Sequence, residues 1–199
     1  MTFAIAETIS EQPILFDKMT WQEFKTVQSI LERPGVRLSF LKGILELRLM
    51  PGRKHEVIKQ RISSLLDIYL EIANINYTPT GSMTLESETG LVKREADLSY
   101  ELNEGREYPD LVVEVVVTSG GIDKLEAYKR LNIPEVWFWE AGSLSIYALE
   151  KVEAKIGYRR LETSKCLPRL DINLFKKYVE LPNHLQAVRE FRQALSIDN

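Results

Sequence analysis

Asp110-Leu111-Val112-Val113-Glu114-Val115-Val116-Val117 decides the fold. A run of Leu and Val without polar alternation reads as a strand buried on both faces, an interior position in a helix-covered sheet. One residue breaks the run. Burying an unpaired carboxylate costs several kcal/mol, on the order of what a small domain can spare. Glu114 must therefore be protonated, paired with a cation, or bound to a metal ion. Thr118-Ser119-Gly120-Gly121 then leads into a helix over about 122–131, with Ser119 or Asp123 near its start. Pro134 ends that helix, and Glu135-Val136-Trp137-Phe138-Trp139 follows as a second buried strand. Strand, helix and strand in this order indicate an α/β domain.

The flanking segments complete one domain. Thr20-Trp21-Gln22-Glu23 has the spacing of a capping box, so a helix runs from about Thr20 to Glu32, stopped by Pro34-Gly35. Val36–Leu41 and Ile44–Met50 read as a hairpin turning at Lys42-Gly43. From Lys54 to about Ala73, Ile58, Ile62, Leu65, Leu66, Tyr69 and Ile72 mark the core face of a long helix. Met83–Ser87 is expected to pair with Glu95–Glu101 across Thr89-Gly90. Downstream, Leu144–Leu149 and Ile156–Leu161 form an edge hairpin, and helices over about 173–179 and 185–195 close the chain. The expected architecture is a central mixed sheet flanked by helices with an added N-terminal hairpin: a single domain over 1–199, its core at about 20–150 and a helical extension at about 171–197.

Composition excludes several functions. The net charge of −3 argues against nonspecific coating of nucleic acid, which calls for a basic excess, but permits a local basic patch on an acidic body. One cysteine, Cys166, cannot form an internal disulfide and suits a reducing compartment. With only His55 and His184 besides, a Cys/His zinc site within one chain is not expected, and a metal here is expected to be a hard ion held by oxygen. The start of the chain lacks the pattern of a signal peptide, and no apolar run has the length of a membrane span. A cytoplasmic location is the expectation.

The unusual residues lie between Asp97 and Leu131. In Glu95-Ala96-Asp97-Leu98-Ser99-Tyr100, alternation sends Asp97 and Ser99 to the face opposite Ala96, Leu98 and Tyr100. Asp97 can lie beside Glu114 on an adjacent strand, and Lys124 opens the helix that packs back over the sheet. Two acids and a lysine converging at strand ends are the parts for metal-assisted phosphodiester cleavage. The acids place Mg²⁺ or Mn²⁺, the ion polarises the phosphate and lowers the pKa of its water, and the lysine offsets transition-state charge. The bland alternative is a structural ion pair between Glu114 and Lys124 or an arginine.

Ala96-Asp97-Leu98, Pro109-Asp110-Leu111-Val112-Val113-Glu114-Val115, Lys124-x-x-x-Tyr128 and Asn132-Ile133-Pro134-Glu135-Val136-Trp137 together resemble the bacterial Uma-type family of putative restriction endonucleases, within the PD-(D/E)xK nucleases. The likeness reaches back to Lys54-His55-Glu56 and covers roughly residues 20–150. The resemblance implies a restriction-endonuclease-like fold and cleavage of DNA by a homodimer that uses Mg²⁺ or Mn²⁺. It also implies Asp97 and Glu114 as metal ligands with the Val115 backbone carbonyl, Lys124 as the catalytic cation, and Glu56 as a secondary ligand. Two departures stand out: Val116 occupies the usual lysine position two residues after the acid, so that role moves to Lys124, and the turn before the helix is shortened to 118–121.

Other residues carry plainer readings. Glu56 is equally a favourable acid at a helix start. Asp110 lies roughly 13 Å from Glu114 along one strand, too far to share an ion, and reads as a strand-entry or turn residue. Arg53, Lys54 and Lys59, with Arg61, are candidate phosphate contacts or simply a solvated helix face. Tyr128, Trp137 and Trp139 read as core, and His55 and His184 as surface residues. No nucleophile–histidine pair supports a Ser or Cys hydrolase. The rival to the nuclease is a non-catalytic nucleic-acid-binding or protein-interaction module on the same fold, a rival that the displaced lysine and acidic charge favour.

Overall fold

The computed structural model describes residues 12–49, 52–103, 105–117, 121–152 and 155–197. In chain order its elements are β1 (Ile14–Phe16), α1 (Trp21–Leu31), β2 (Val36–Leu41), β3 (Ile44–Leu49), α2 (Arg53–Ile72), β4 (Thr78–Pro79), β5 (Thr84–Ser87), β6 (Val92–Glu95) and β7 (Leu98–Glu101). There follow β8 (Leu111–Val116), α3 (Lys124–Arg130), β9 (Glu135–Glu140), β10 (Ser143–Val152), β11 (Lys155–Leu161), α4 (Ile172–Glu180) and α5 (His184–Ile197). Met50 and residues 118–120, including Ser119, lie outside the described residues.

The strand that opened the sequence reading sits inside a six-stranded sheet ordered β11-β10-β9-β8-β7-β4. β8 and β9 run parallel, joined through α3, and the other pairings are antiparallel, so the sheet is mixed. Period-two alternation divides the residues of β8 between two cores. Leu111, Val113 and Val115 pack into a cluster with α2, α4 and α5. Val112 joins the opposite cluster, built on α3 and Val136. Glu114 shares that second face, and its only escape from the cost of burial is to find partners there.

The N-terminal hairpin is more than an addition. It turns at Lys42-Gly43, both at positive φ as a two-residue hairpin turn requires. It then becomes the middle of a five-stranded sheet ordered β1-β3-β2-β6-β5. α1 covers one face of it through Phe24 against Leu38, Phe40 and Leu45, entered by the capping box of Thr20 and Glu23.

The expected pairing of 83–87 with 95–101 is corrected. β5 pairs with β6, register Thr84↔Glu95, whereas β7 pairs with β8 in the other sheet, register Leu98↔Val113. The chain crosses between sheets at Ala96-Asp97. Alternation cannot distinguish one seven-residue strand from two short ones divided by a crossing, because polarity keeps its phase through the step.

Candidate active site

The crossing places Asp97 one residue beyond the Leu98↔Val113 pair, at the end of β8 where Glu114 lies. Both carboxylates line one cavity of about 70 Å³, with Val115 in its wall and Lys124 at its edge. Each acid is 2% exposed.

Glu114 accepts a two-pronged contact from Arg94, Nε to Oε1 at 2.9 Å and Nη2 to Oε2 at 3.2 Å. Lys124 Nζ donates to Oε2 at 2.7 Å, and the Tyr128 hydroxyl donates to Oε1. Four donors meet the four lone-pair directions of a carboxylate. Burial opposes the charge of Glu114, but Arg94 and Lys124 outweigh it and hold the carboxyl below its usual range. The same burial and the adjacent Glu114 push the Tyr128 phenol well up, keeping it a proton donor.

Asp97 takes Arg37 Nη1 on Oδ1 at 2.7 Å, and on Oδ2 His55 Nε2 at 3.0 Å and the Val115 N–H at 2.9 Å. Burial again opposes ionisation, and His55 and Arg37 overcome it, so Asp97 titrates far below an ordinary aspartate. His55 is therefore not a surface residue. It is buried between Asp97 and Glu56, its Nδ1 lying 3.0 Å from Glu56 Oε1. Burial disfavours the imidazolium, yet the two carboxylates raise its pKa.

Glu56 does not reach the cavity. Successive residues on a helix point about 100° apart, and here His55 takes the inward direction. Glu56 turns outward to Lys59, 3.0 Å from its Nζ. Lys59 is thereby buried and paired, and so is withdrawn from the proposed phosphate contacts, while Arg53 and Lys54 remain exposed at the start of α2. Arg61 is also buried, donating to the carbonyls of Tyr178, Leu181 and Pro182 at the junction of α4 and α5. His184 is exposed, as expected. Asp110 stands at the entry to β8, where its carboxylate accepts the N–H groups of Leu102 and Asn103 at 2.8 and 3.0 Å.

The buried acid found in the cavity and missed in the sequence is Glu46, on β3 of the other sheet and 1% exposed, and part-buried Glu95 joins it at the cavity wall. Four carboxylates line the cavity, Glu46, Glu95, Asp97 and Glu114, against four permanent cations, Arg37, Arg48, Arg94 and Lys124. Alternation in Ile44-Leu45-Glu46-Leu47-Arg48 does set Glu46 and Arg48 on one face. That signal reads as a wet face unless a second layer covers it.

Among the described residues no group of three or more His, Cys, Asp and Glu side chains is arranged to hold a metal. Magnesium does not require one, since it binds through one or two carboxylates, keeps several waters and adds substrate phosphate oxygens. Asp97 and Glu114 supply hard oxygens. The cavity exceeds the roughly 10–15 Å³ that one water needs. Asp97 and Glu114 are the side chains that would hold such an ion, which would have to displace Lys124 from Glu114.

The sequence pattern of the Uma2 family, described as "Putative restriction endonuclease", matches residues 21–180. The chain belongs to this family. The Uma2 match includes every strand of both sheets except β1, and every residue of the cavity. Among solved structures, the "Crystal structure of a putative nuclease belonging to DUF820" from Anabaena variabilis aligns over 85% of this chain and 98% of its own, at 13% identity and a TM-score of 0.48. No curated protein matches the sequence. No helix among the described residues is long and apolar enough to cross a membrane.

Proposed function

We propose that the protein is an endonuclease that hydrolyses DNA phosphodiester bonds with Mg²⁺ or Mn²⁺ at the cavity between Asp97 and Glu114. One observation carries this reading: two buried acids, Asp97 at the crossing between the sheets and Glu114 on β8, line the same cavity, with the ammonium of Lys124 on the second. When bound, the ion would be held by Asp97 and Glu114 and would supply Lewis acidity toward the phosphate and its attacking water. The surrounding residues have separate tasks. Arg37, His55 and the Val115 N–H fix the orientation of Asp97. Arg94 and Tyr128 keep Glu114 ionised and still. Lys124, part-exposed at the cavity edge, offsets charge that develops on the phosphate. Exposed Arg53 and Lys54 contact DNA phosphates in this reading, and a homodimer would bring two such cavities to two strands.

The test is cleavage of supercoiled and linear DNA with Mg²⁺, Mn²⁺ or chelator, using wild type and Glu114→Gln. Metal-dependent cutting by the wild type, abolished in a folded Glu114→Gln, supports the proposal. No cutting under any of these conditions refutes it.

A second reading has its own observation. Glu114 is fully coordinated by protein donors, and the four carboxylates lining the cavity are matched by its arginines and lysine without an ion. A nuclease fold that binds nucleic acid without cutting it fits that balance. DNA retained at low salt but never cleaved would establish this alternative.

A further inference from the structure

The turn between β8 and α3 determines where Lys124 falls, and a residue of the other sheet grips that turn. Glu46 Oε2 accepts the backbone N–H of Ile122 at 2.8 Å. The neighbouring Gly121 has φ +101°, and a Cβ built there would overlap the Glu46 carboxylate and lie 2.6 Å from Arg48 Nη2. The positive φ favours glycine at this position, and a Cβ there would have to push aside the ends of the Glu46 and Arg48 side chains. The carboxylate is itself fixed, with Arg48 Nε donating to Oε1 at 2.9 Å and Arg94 Nη1 lying 3.7 Å from the same oxygen.

We infer that Glu46 is a positioning residue for the catalytic centre: its carboxylate latches the turn at Gly121-Ile122 and so presents Lys124 to Glu114. The role in catalysis rests on the nuclease reading above, whereas the latch itself is a statement about the folded protein. The structural logic follows from the position of the lysine. A lysine two residues after Glu114 would be aimed by the strand itself. Lys124 is ten residues away and depends on where its helix begins. Asp123 caps that helix by accepting the N–H of Glu126 at 3.0 Å, but a cap orients a helix end without anchoring it to the sheet. Glu46 supplies that anchor, and Arg94 joins the two acids because it pairs with Glu114 as well.

Two variants test the latch. Glu46→Ala removes the acceptor, and Gly121→Ala keeps the acceptor but displaces the turn. Two readouts on the metal-free full chain follow the consequence: hydrogen exchange at the Ile122 amide, and the ¹⁵Nζ resonance of Lys124. In both variants Ile122 exchange is expected to accelerate about tenfold, the equivalent of one lost hydrogen bond to a charged acceptor. The Lys124 resonance is expected to move toward that of a solvated lysine. If Glu46→Ala fails to fold, Gly121→Ala decides alone. Unchanged exchange and an unchanged Lys124 resonance in a folded variant overturn the latch, whatever the DNA assay shows. Changed readouts in a protein that never cuts DNA leave the latch standing and refute only the nuclease reading.

Discussion

Lys124 Nζ lies 2.7 Å from Glu114 Oε2, and the lysine is the first residue of α3 rather than a neighbour on β8. Val116, two residues after the acid, is half-buried and carries no charge. The cation therefore arrives from a separate element, over a turn gripped by Glu46. Glu114 is satisfied before any ligand is present, so its burial costs little as long as all its partners remain.

Removing those partners, or the acid, has a graded cost. Glu114→Ala leaves the Arg94 guanidinium buried and without its two-pronged partner, a change worth about 3–5 kcal/mol. For a chain of this length that lowers the melting temperature by about 10 °C. Adding Arg94→Met to Glu114→Ala should recover part of the loss, because the stranded charge is gone. Thermal melts of the two single variants and the double variant check this. A double variant as unstable as the sum of the singles contradicts the pairing.

A pH effect is expected on α3. Slight burial opposes the charge of Glu126, but Lys129, Lys42 and Arg130 hold its carboxyl down at about 2. A depressed acid stabilises the fold above its unfolded pKa, near 4.5, and that contribution is lost as pH falls through the folded value. Because these pairs lie at the surface, part-exposed and screened by solvent, Glu126→Gln should cost at most about 1 kcal/mol at neutral pH. The difference from wild type should shrink between about pH 4.5 and 2 and be flat above that window. Denaturant titrations across pH measure it, and a difference that grows on acidification contradicts the assignment.

Cys166 should be inert in the folded protein. Burial, with Glu135 and Asp110 nearby, pushes its thiol up to about 12, and only the thiolate is nucleophilic. At pH 8 the reactive fraction is on the order of 10⁻⁴, so iodoacetamide labelling should proceed only after denaturation. Rapid alkylation of the native protein would contradict this environment.

Much of the fold was legible because its signals are local. The capping box at Thr20, the Lys42-Gly43 turn, the apolar run of β8 and the face of α2 each follow from neighbouring residues. The crossing at Ala96-Asp97 was not legible, since two strands in different sheets preserve the same alternation. The site divides in the same way. Glu114 stood out because a charge in an apolar run demands an explanation. Glu46, Arg94 and Arg37 did not, because their charges look solvated until the second sheet covers them. His55 was misread for a related reason: a polar residue at a helix start looks exposed until Asp97 arrives from 42 residues away. Conversely, Glu135 looked like part of a motif and proves to be an anchor, accepting Trp137 Nε1 and the N–H groups of Lys165 and Cys166.

The claim that Asp97 and Glu114 form one metal-holding centre is tested most directly by calorimetric titration of Mn²⁺ into the wild type, Asp97→Asn and Lys124→Met. One site per chain is expected in the wild type, lost in Asp97→Asn and tightened several-fold in Lys124→Met, where the competing ammonium at Glu114 is gone. Absence of Mn²⁺ binding to wild type and Lys124→Met alike, or an affinity that Asp97→Asn leaves unchanged, would contradict it.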